Sequence, residues 1–167
     1  MSQQILTEYQ QYLSEDGFKI LKEFLECVES KTIFRPHTKS ILCFLGSGSN
    51  GKTTLVNKIK ELVGLENFSD IYAEPDGYND PDQSEEFDNV DYRQFKQLVI
   101  CNEFSQPAQY SILKQLSGNV SVFCRQVNED GSSFMPEHNL ICVLNSLQNL
   151  EQDLLNRFVI IEFTHVF

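Results

Sequence analysis

Three glycines, a lysine and two threonines stand in the run Gly46-Ser47-Gly48-Ser49-Asn50-Gly51-Lys52-Thr53-Thr54, which satisfies the spacing G-x-x-x-x-G-K-[ST] of a phosphate-binding loop. Such a loop turns successive backbone N–H groups toward one point, where the helix that follows adds its own unbonded donors, and a polyphosphate is held there. Lys52 would bridge the β and γ phosphates. The Thr53 hydroxyl would ligate Mg²⁺, which keeps most of its waters and takes one or two protein ligands besides the phosphates. An eight-residue pattern can arise by chance, so its flanks matter. Before it, Ile41-Leu42-Cys43-Phe44-Leu45 is a buried-strand run; after it, Leu55, Ile59, Leu62 and Val63 form an apolar stripe at helical spacing that ends at Gly64, a C-cap residue.

Holding a nucleotide is not hydrolysing it. Hydrolysis needs a group that activates or positions water and a second anchor for the metal, usually at the end of a neighbouring strand. Leu98-Val99-Ile100-Cys101 leads directly into Asn102-Glu103, and a carboxylate at the C-terminal edge of a buried strand faces the ligand crevice of an open α/β sheet. Glu103 is therefore the expected water-activating residue and a metal ligand; a surface glutamate that caps the next segment is the plain alternative. Asn102 could orient a metal-bound water through its amide oxygen. Leu140-Ile141-Cys142-Val143-Leu144 delivers Asn145 in the same way, and an amide there can sense the γ-phosphate, or merely begin the turn before Ser146. Arg157, ahead of Phe158-Val159-Ile160-Ile161, is either a solvated flank or a cation that stabilises charge on a transferring phosphoryl group.

The elements that must position these groups follow from hydrophobic periodicity. Phe18, Leu21, Phe24, Leu25 and Val28 predict a helix up to about Ser30, with a shorter helix around Ile5 to Leu13 and a break at Arg35-Pro36-His37. A weak strand is expected near Ile71-Tyr72-Ala73. A short helix carrying Ile112, Leu113 and Leu116 should stop at Gly118. The alternating stretch from Val120 to Val127, an Asp130-Gly131 turn and the return to Phe134 predict a β-hairpin. Uniformly apolar runs separated by helices predict a mainly parallel five-stranded sheet covered on both faces, an α/β fold. The expected organisation is an N-terminal helical segment over residues 1–36 and a nucleotide-binding core over residues 37–167.

Composition sets the outer limits. A chain of 167 residues with 41% hydrophobic content has the size of one domain with a full core. No apolar run approaches the roughly 20 residues of a membrane span, and the start, Met1-Ser2-Gln3-Gln4, lacks the regions of a signal peptide, so an intracellular protein with no membrane partner is expected. Cys43, Cys101 and Cys142 fall inside apolar runs and read as buried free thiols. The net charge of −11 argues against a broad nucleic-acid-coating surface, although much of it is local. Glu74, Asp76, Asp80, Asp82, Glu85, Glu86, Asp88 and Asp91 cluster with no Lys or Arg among them, as a solvated loop does.

Taken in order, these elements resemble the superfamily 3 helicases of DNA viruses, phages and plasmids over roughly residues 40–163. The Asn50-Gly51-Lys52 form of the loop is similar to that family's first motif, and Val99 through Glu103 to its second. Leu113-Lys114-Gln115-Leu116-Ser117-Gly118-Asn119 through Arg125, with Phe134-Met135-Pro136, resembles its signature between the second and third motifs. Leu140 to Asn145 resembles the sensor, and Leu154-Leu155-Asn156-Arg157-Phe158 the arginine-bearing end. The resemblance implies an AAA+-like P-loop ATPase core with an inserted hairpin that uses ATP and Mg²⁺ and assembles as a ring, commonly a hexamer. Arg157 would then serve the adjacent subunit, and the hairpin would hold single-stranded DNA, or RNA, with Lys114, Arg125 and Asn128 as candidate contacts.

Three positions depart from the family pattern. Asn102 stands where a second acid is common, Ser117-Gly118-Asn119 lacks an acid of the signature, and the hairpin tip Asn128-Glu129-Asp130-Gly131 is acidic. The expected function is the ATP-hydrolysing core of a replicative DNA helicase, one part of a larger primase or replication protein. The competing readings are a nucleotide-kinase-like phosphotransferase, for which an Arg-rich lid is missing, and a nucleotide-gated assembly module with weak hydrolysis.

Overall fold

The computed structural model describes residues 1–36, 39–71, 97–102, 113, 114, 116–118, 122–124, 132–134, 138–148 and 150–165. The acidic loop, the hairpin turn, Glu103, Arg125 and Asn128 lie outside them. Five strands, β1 (Ile41–Leu45), β2 (Phe68–Ile71), β3 (Leu98–Asn102), β6 (Asn139–Leu144) and β7 (Phe158–Glu162), form one sheet in the order β2-β3-β6-β1-β7. Every pairing in it is parallel. Strands β4 (Val122–Cys124) and β5 (Ser132–Phe134) pair antiparallel as a separate hairpin, with Val122 opposite Phe134.

Side chains alternate across the sheet because successive Cβ atoms point to opposite faces. Leu42, Phe44, Leu98, Ile100, Ile141, Val143 and Ile161 enter one core, with the apolar stripes of α1 (Ser2–Tyr9), α2 (Glu15–Ser30) and α3 (Lys52–Val63). Ile41, Cys43, Val99, Cys101, Leu140, Cys142 and Phe158 enter a second core, covered by Leu113, Leu116 and Leu154. Leu154 belongs to the one-turn helix α4 (Gln152–Leu155). Burial on both faces explains why the strands read as unbroken apolar runs. Cys43, Cys142 and Cys101 sit side by side across β1, β6 and β3 as free buried thiols, and hydrogen bonding between neighbouring thiols, together with burial, pushes Cys43 and Cys142 well above the usual thiol range.

The N-terminal helices differ in their bounds from the expectation. The first runs over Ser2–Tyr9 and ends where Tyr12 and Leu13 N–H groups both turn back to the Tyr9 carbonyl. Helix α2 begins at Glu15, because the Ser14 hydroxyl accepts from the Gly17 N–H at 3.0 Å and two acids, Glu15 and Asp16, follow in the first turn. The linker beyond α2 is fastened to the sheet by buried Asn139, whose Oδ1 accepts from Phe34 N–H at 2.7 Å while its Nδ2 donates to the Thr32 carbonyl at 3.0 Å. The second strand is Phe68–Ile71 instead of residues 71–73, in register with Leu98 to Cys101. Among the described residues no helix is long and apolar enough to cross a membrane.

Candidate functional site

The C-terminal ends of three neighbouring strands meet at one edge of the sheet. Leu45 aligns with Leu144, and Asn102 with Val143, so the chain leaves toward Gly46, Asn145 and Glu103 from adjacent positions. Gly46 N–H continues the ladder by donating to the Leu144 carbonyl at 3.1 Å. The Asn145-bearing strand thus lies between the loop strand and the strand that leads to Glu103, and Asn145 itself is exposed at the rim.

The loop is held from three directions. Gly51 adopts φ 86°, a left-handed conformation that glycine takes without strain, and opens α3 with no side-chain cap, which leaves the first-turn N–H groups available to an anion. Buried Asn50 donates from Nδ2 to the Phe163 carbonyl at 3.1 Å, and Phe163 N–H donates to Leu45 O at 2.7 Å. Tyr9 reaches from α1 to donate its hydroxyl to the Gly51 carbonyl at 3.1 Å. Burial, with Glu8 beside it, pushes the Tyr9 phenol up to about 12, so it remains a donor.

Lys52 is 5% exposed, and its ammonium donates to the Gly46 carbonyl, to Ser47 O at 3.1 Å and to Asn50 Oδ1 at 2.8 Å. Loss of hydration on burial holds it below the ordinary lysine range. Among the described residues the oxygens that Lys52 contacts are all neutral, so these bonds supply no counter-charge to the ammonium. Ser47, Gly48, Ser49, Thr53 and Thr54 are all exposed. Thr53 stands in the first turn of α3.

Asn102 donates from Nδ2 to Asp70 Oδ1 at 3.1 Å, and the other oxygen of Asp70 takes an ion pair from Lys60 at 2.8 Å. This leaves the Asn102 amide oxygen as the group that can accept from a metal-bound water. Asp70 escaped the sequence reading, since no motif surrounds it and its place beside Asn102 arises only from the β2·β3 pairing. Among the described residues there is no cluster of three or more His, Cys, Asp or Glu that could hold a metal ion.

Arg157 and Lys114 lie elsewhere. The Arg157 carbonyl accepts from Ser40 and Ile41 N–H, which places it at the start of β1, five residues and roughly 16 Å from the loop. Its guanidinium donates to Lys114 O at 2.7 Å and Ser117 Oγ at 2.9 Å and pairs with Asp153 at 3.4 Å. Lys114 is ion-paired with Glu151. The structure therefore brings Gly46 through Thr54, Asn102 and Asn145 to one edge and places Arg157 and Lys114 together at the other.

The chain belongs to DUF5906, a family of unknown function, whose model matches residues 44–157. No curated protein matches the sequence. Its fold is similar to that of the apo C-terminal region of NrS-1, with a TM-score of 0.65 at 20% identity over 97% of this chain and 37% of that one. It is also similar to JCV helicase bound to a thiazolopyridine-phenoxyphenyl acetamide, with a TM-score of 0.62 at 17% identity over 95% of this chain and 44% of that one. A second JCV helicase structure gives 0.57 at 21% identity, over 91% and 41%. The chain thus spans less than half the length of each of these structures, with which it shares an α/β fold.

Proposed function

We propose that the chain binds Mg²⁺-ATP at residues 46–54 and hydrolyses it as the ATPase core of a superfamily 3 type ring helicase that moves on single-stranded DNA. The observation that carries this reading is the buried Lys52 ammonium in a loop of glycine and hydroxyl residues, one strand away from Asn145 and two from the strand that ends at Asn102. The helicase fold of JCV helicase supports it.

In this account the backbone N–H groups at the start of α3 and the Lys52 ammonium hold the β and γ phosphates, in place of the carbonyl oxygens that Lys52 now contacts. Mg²⁺ supplies charge neutralisation at the phosphates when bound, with Thr53, Asn102 and Glu103 as the groups that would hold it or its waters. Glu103 takes the proton from the attacking water. Asn145 orients that water against the γ-phosphate. Lys114, Arg125 and Asn128 are the proposed contacts for the nucleic acid.

Arg157 cannot serve the loop of its own chain across the length of β1, so its proposed role is to stabilise transition-state charge in the neighbouring subunit, most simply in a hexamer. To do so it must leave Lys114 O, Ser117 Oγ and Asp153, which makes the arginine sensitive to how subunits meet. Arg157→Ala alone should lose about 10³-fold or more in turnover. Mixed with wild type, it should depress the steady-state ATPase well below the average of the two populations. Activity that simply follows the fraction of wild-type chains would remove the in-trans role. Tight ATP binding and assembly without turnover would favour the gated-assembly reading, which the amide at Asn102 in place of an acid makes specific.

A further inference from the structure

A cavity of about 490 Å³ lies between α1 and the loop, lined by Glu8, Tyr9, Tyr12, Ser49, Gly51 and Thr54. Its volume falls within the range of about 300–1,000 Å³ usual for small-molecule sites. We propose that this cavity is the nucleoside site, in which the base stacks on the Tyr12 ring and the Glu8 carboxylate accepts from a base amino group or a ribose hydroxyl at the rim. The inference rests on the phosphate reading of residues 46–53 and adds to it where the rest of the ligand goes and which residues meet it.

Polarity of the loop supplies the first argument. The Lys52 ammonium, which belongs to the β and γ phosphates, points to Gly46 O, Ser47 O and Asn50 Oδ1. The cavity lies against Ser49, Gly51 and Thr54, the other margin of the same loop. A triphosphate with its γ end at Lys52 therefore has its α end, and the sugar attached to it, directed toward α1.

The lining supplies the second. Tyr12 stands edge-on to Tyr9, with ring centroids 6.3 Å apart, and tilts against His165 at 5.0 Å, so its ring is held by aromatic neighbours from both ends of the chain. Tyr9 is in turn fixed by its bond to Gly51 O, which makes the aromatic wall and the phosphate loop one connected unit. An aromatic face is suited to a base, because every base has a π face to stack. Glu8 is an acceptor only, and its carboxylate, which lines the cavity, pairs with Lys58 at 2.8 Å.

The test compares Mg²⁺-ATP with inorganic tripolyphosphate by titration calorimetry on the full chain. Wild type should bind ATP more tightly than tripolyphosphate. Tyr12→Ala should weaken ATP roughly tenfold or more and leave tripolyphosphate unchanged. Tyr12→Leu, which fills the same space without a ring, should do the same, while Tyr12→Phe should bind both ligands as wild type does. Unchanged ATP affinity in Tyr12→Leu, or an equal loss for both ligands, would overturn the nucleoside site. So would a wild type that binds tripolyphosphate as well as ATP, although the phosphate loop would then stand. A wild type that binds neither would overturn the phosphate reading and the nucleoside site with it.

Discussion

Lys52→Ala should lower affinity for Mg²⁺-ATP and for tripolyphosphate by roughly 10²–10³-fold, the scale on which a single preorganised donor to developing or resident negative charge acts. The same change should leave the thermal stability of the ligand-free protein nearly intact. The reason lies in the sign of the pKa shift: burial holds Lys52 below the ordinary lysine range, so the fold carries that ammonium at a cost which its bonds to Gly46 O, Ser47 O and Asn50 Oδ1 do not fully offset. Removing the charge removes the cost along with the bonds. Binding and stability should thus separate, as measured by calorimetry for the ligands and by thermal unfolding for the apo chain. A lysine that served mainly to hold the loop together would show the reverse, a large fall in melting temperature with proportionate loss of binding.

Gly46→Ala should fail in the opposite way, through the fold. A Cβ at residue 46 would sit 2.3 Å from Asn50 Nδ2 and 2.5 Å from the Phe163 carbonyl oxygen, distances that real side chains do not tolerate. Neither neighbour has room to yield. Asn50 is buried between Lys52 and Phe163, and the Phe163 backbone is fixed to Leu45 O at 2.7 Å. The loop must break its bond to the β7 exit or shift Lys52, at about 1–3 kcal/mol for an overpacked site, which for a chain of this size lowers the melting temperature by several degrees. Nucleotide affinity should fall with it because Asn50 and Lys52 move together. Gly48→Ala is the internal control: nothing lies within 4 Å of the corresponding Cβ, so stability should stay near wild type.

The loop and its two flanks were legible because their signal is local. Strand β1 occupies the apolar run Ile41–Leu45, and α3 ends at Val63 with Gly64 at φ 88° as its C-cap. The strands that end at Asn102 and Leu144 were legible for a related reason, since burial on both faces leaves an uninterrupted apolar run. The edge strand was misplaced by a few residues because Phe68-Ser69-Asp70-Ile71 has two polar residues at its centre, and only pairing with β3 defines it. Contacts between distant parts of the chain were not legible at all. Tyr9 meets Gly51 across 42 positions and Asn50 meets Phe163 across 113, so no window of sequence contains either pair. Asp70 and the aromatic wall of Tyr9 and Tyr12 were missed for that reason. Arg157 was found by its place ahead of a strand, but its partners Lys114, Ser117 and Asp153 emerge only where the sheet edge, the helical turn and α4 converge.

The most direct test of the account is phosphate release from Mg²⁺-ATP, followed over a wide range of protein concentration for wild type and for Glu103→Gln. The account predicts a wild-type rate per chain that rises steeply as subunits assemble. It also predicts a loss of roughly 100-fold or more in Glu103→Gln with ATP binding retained, since a positioned general base contributes about 10²–10⁴-fold. A wild-type chain that releases no phosphate at any concentration, or a Glu103→Gln rate equal to wild type, would contradict it.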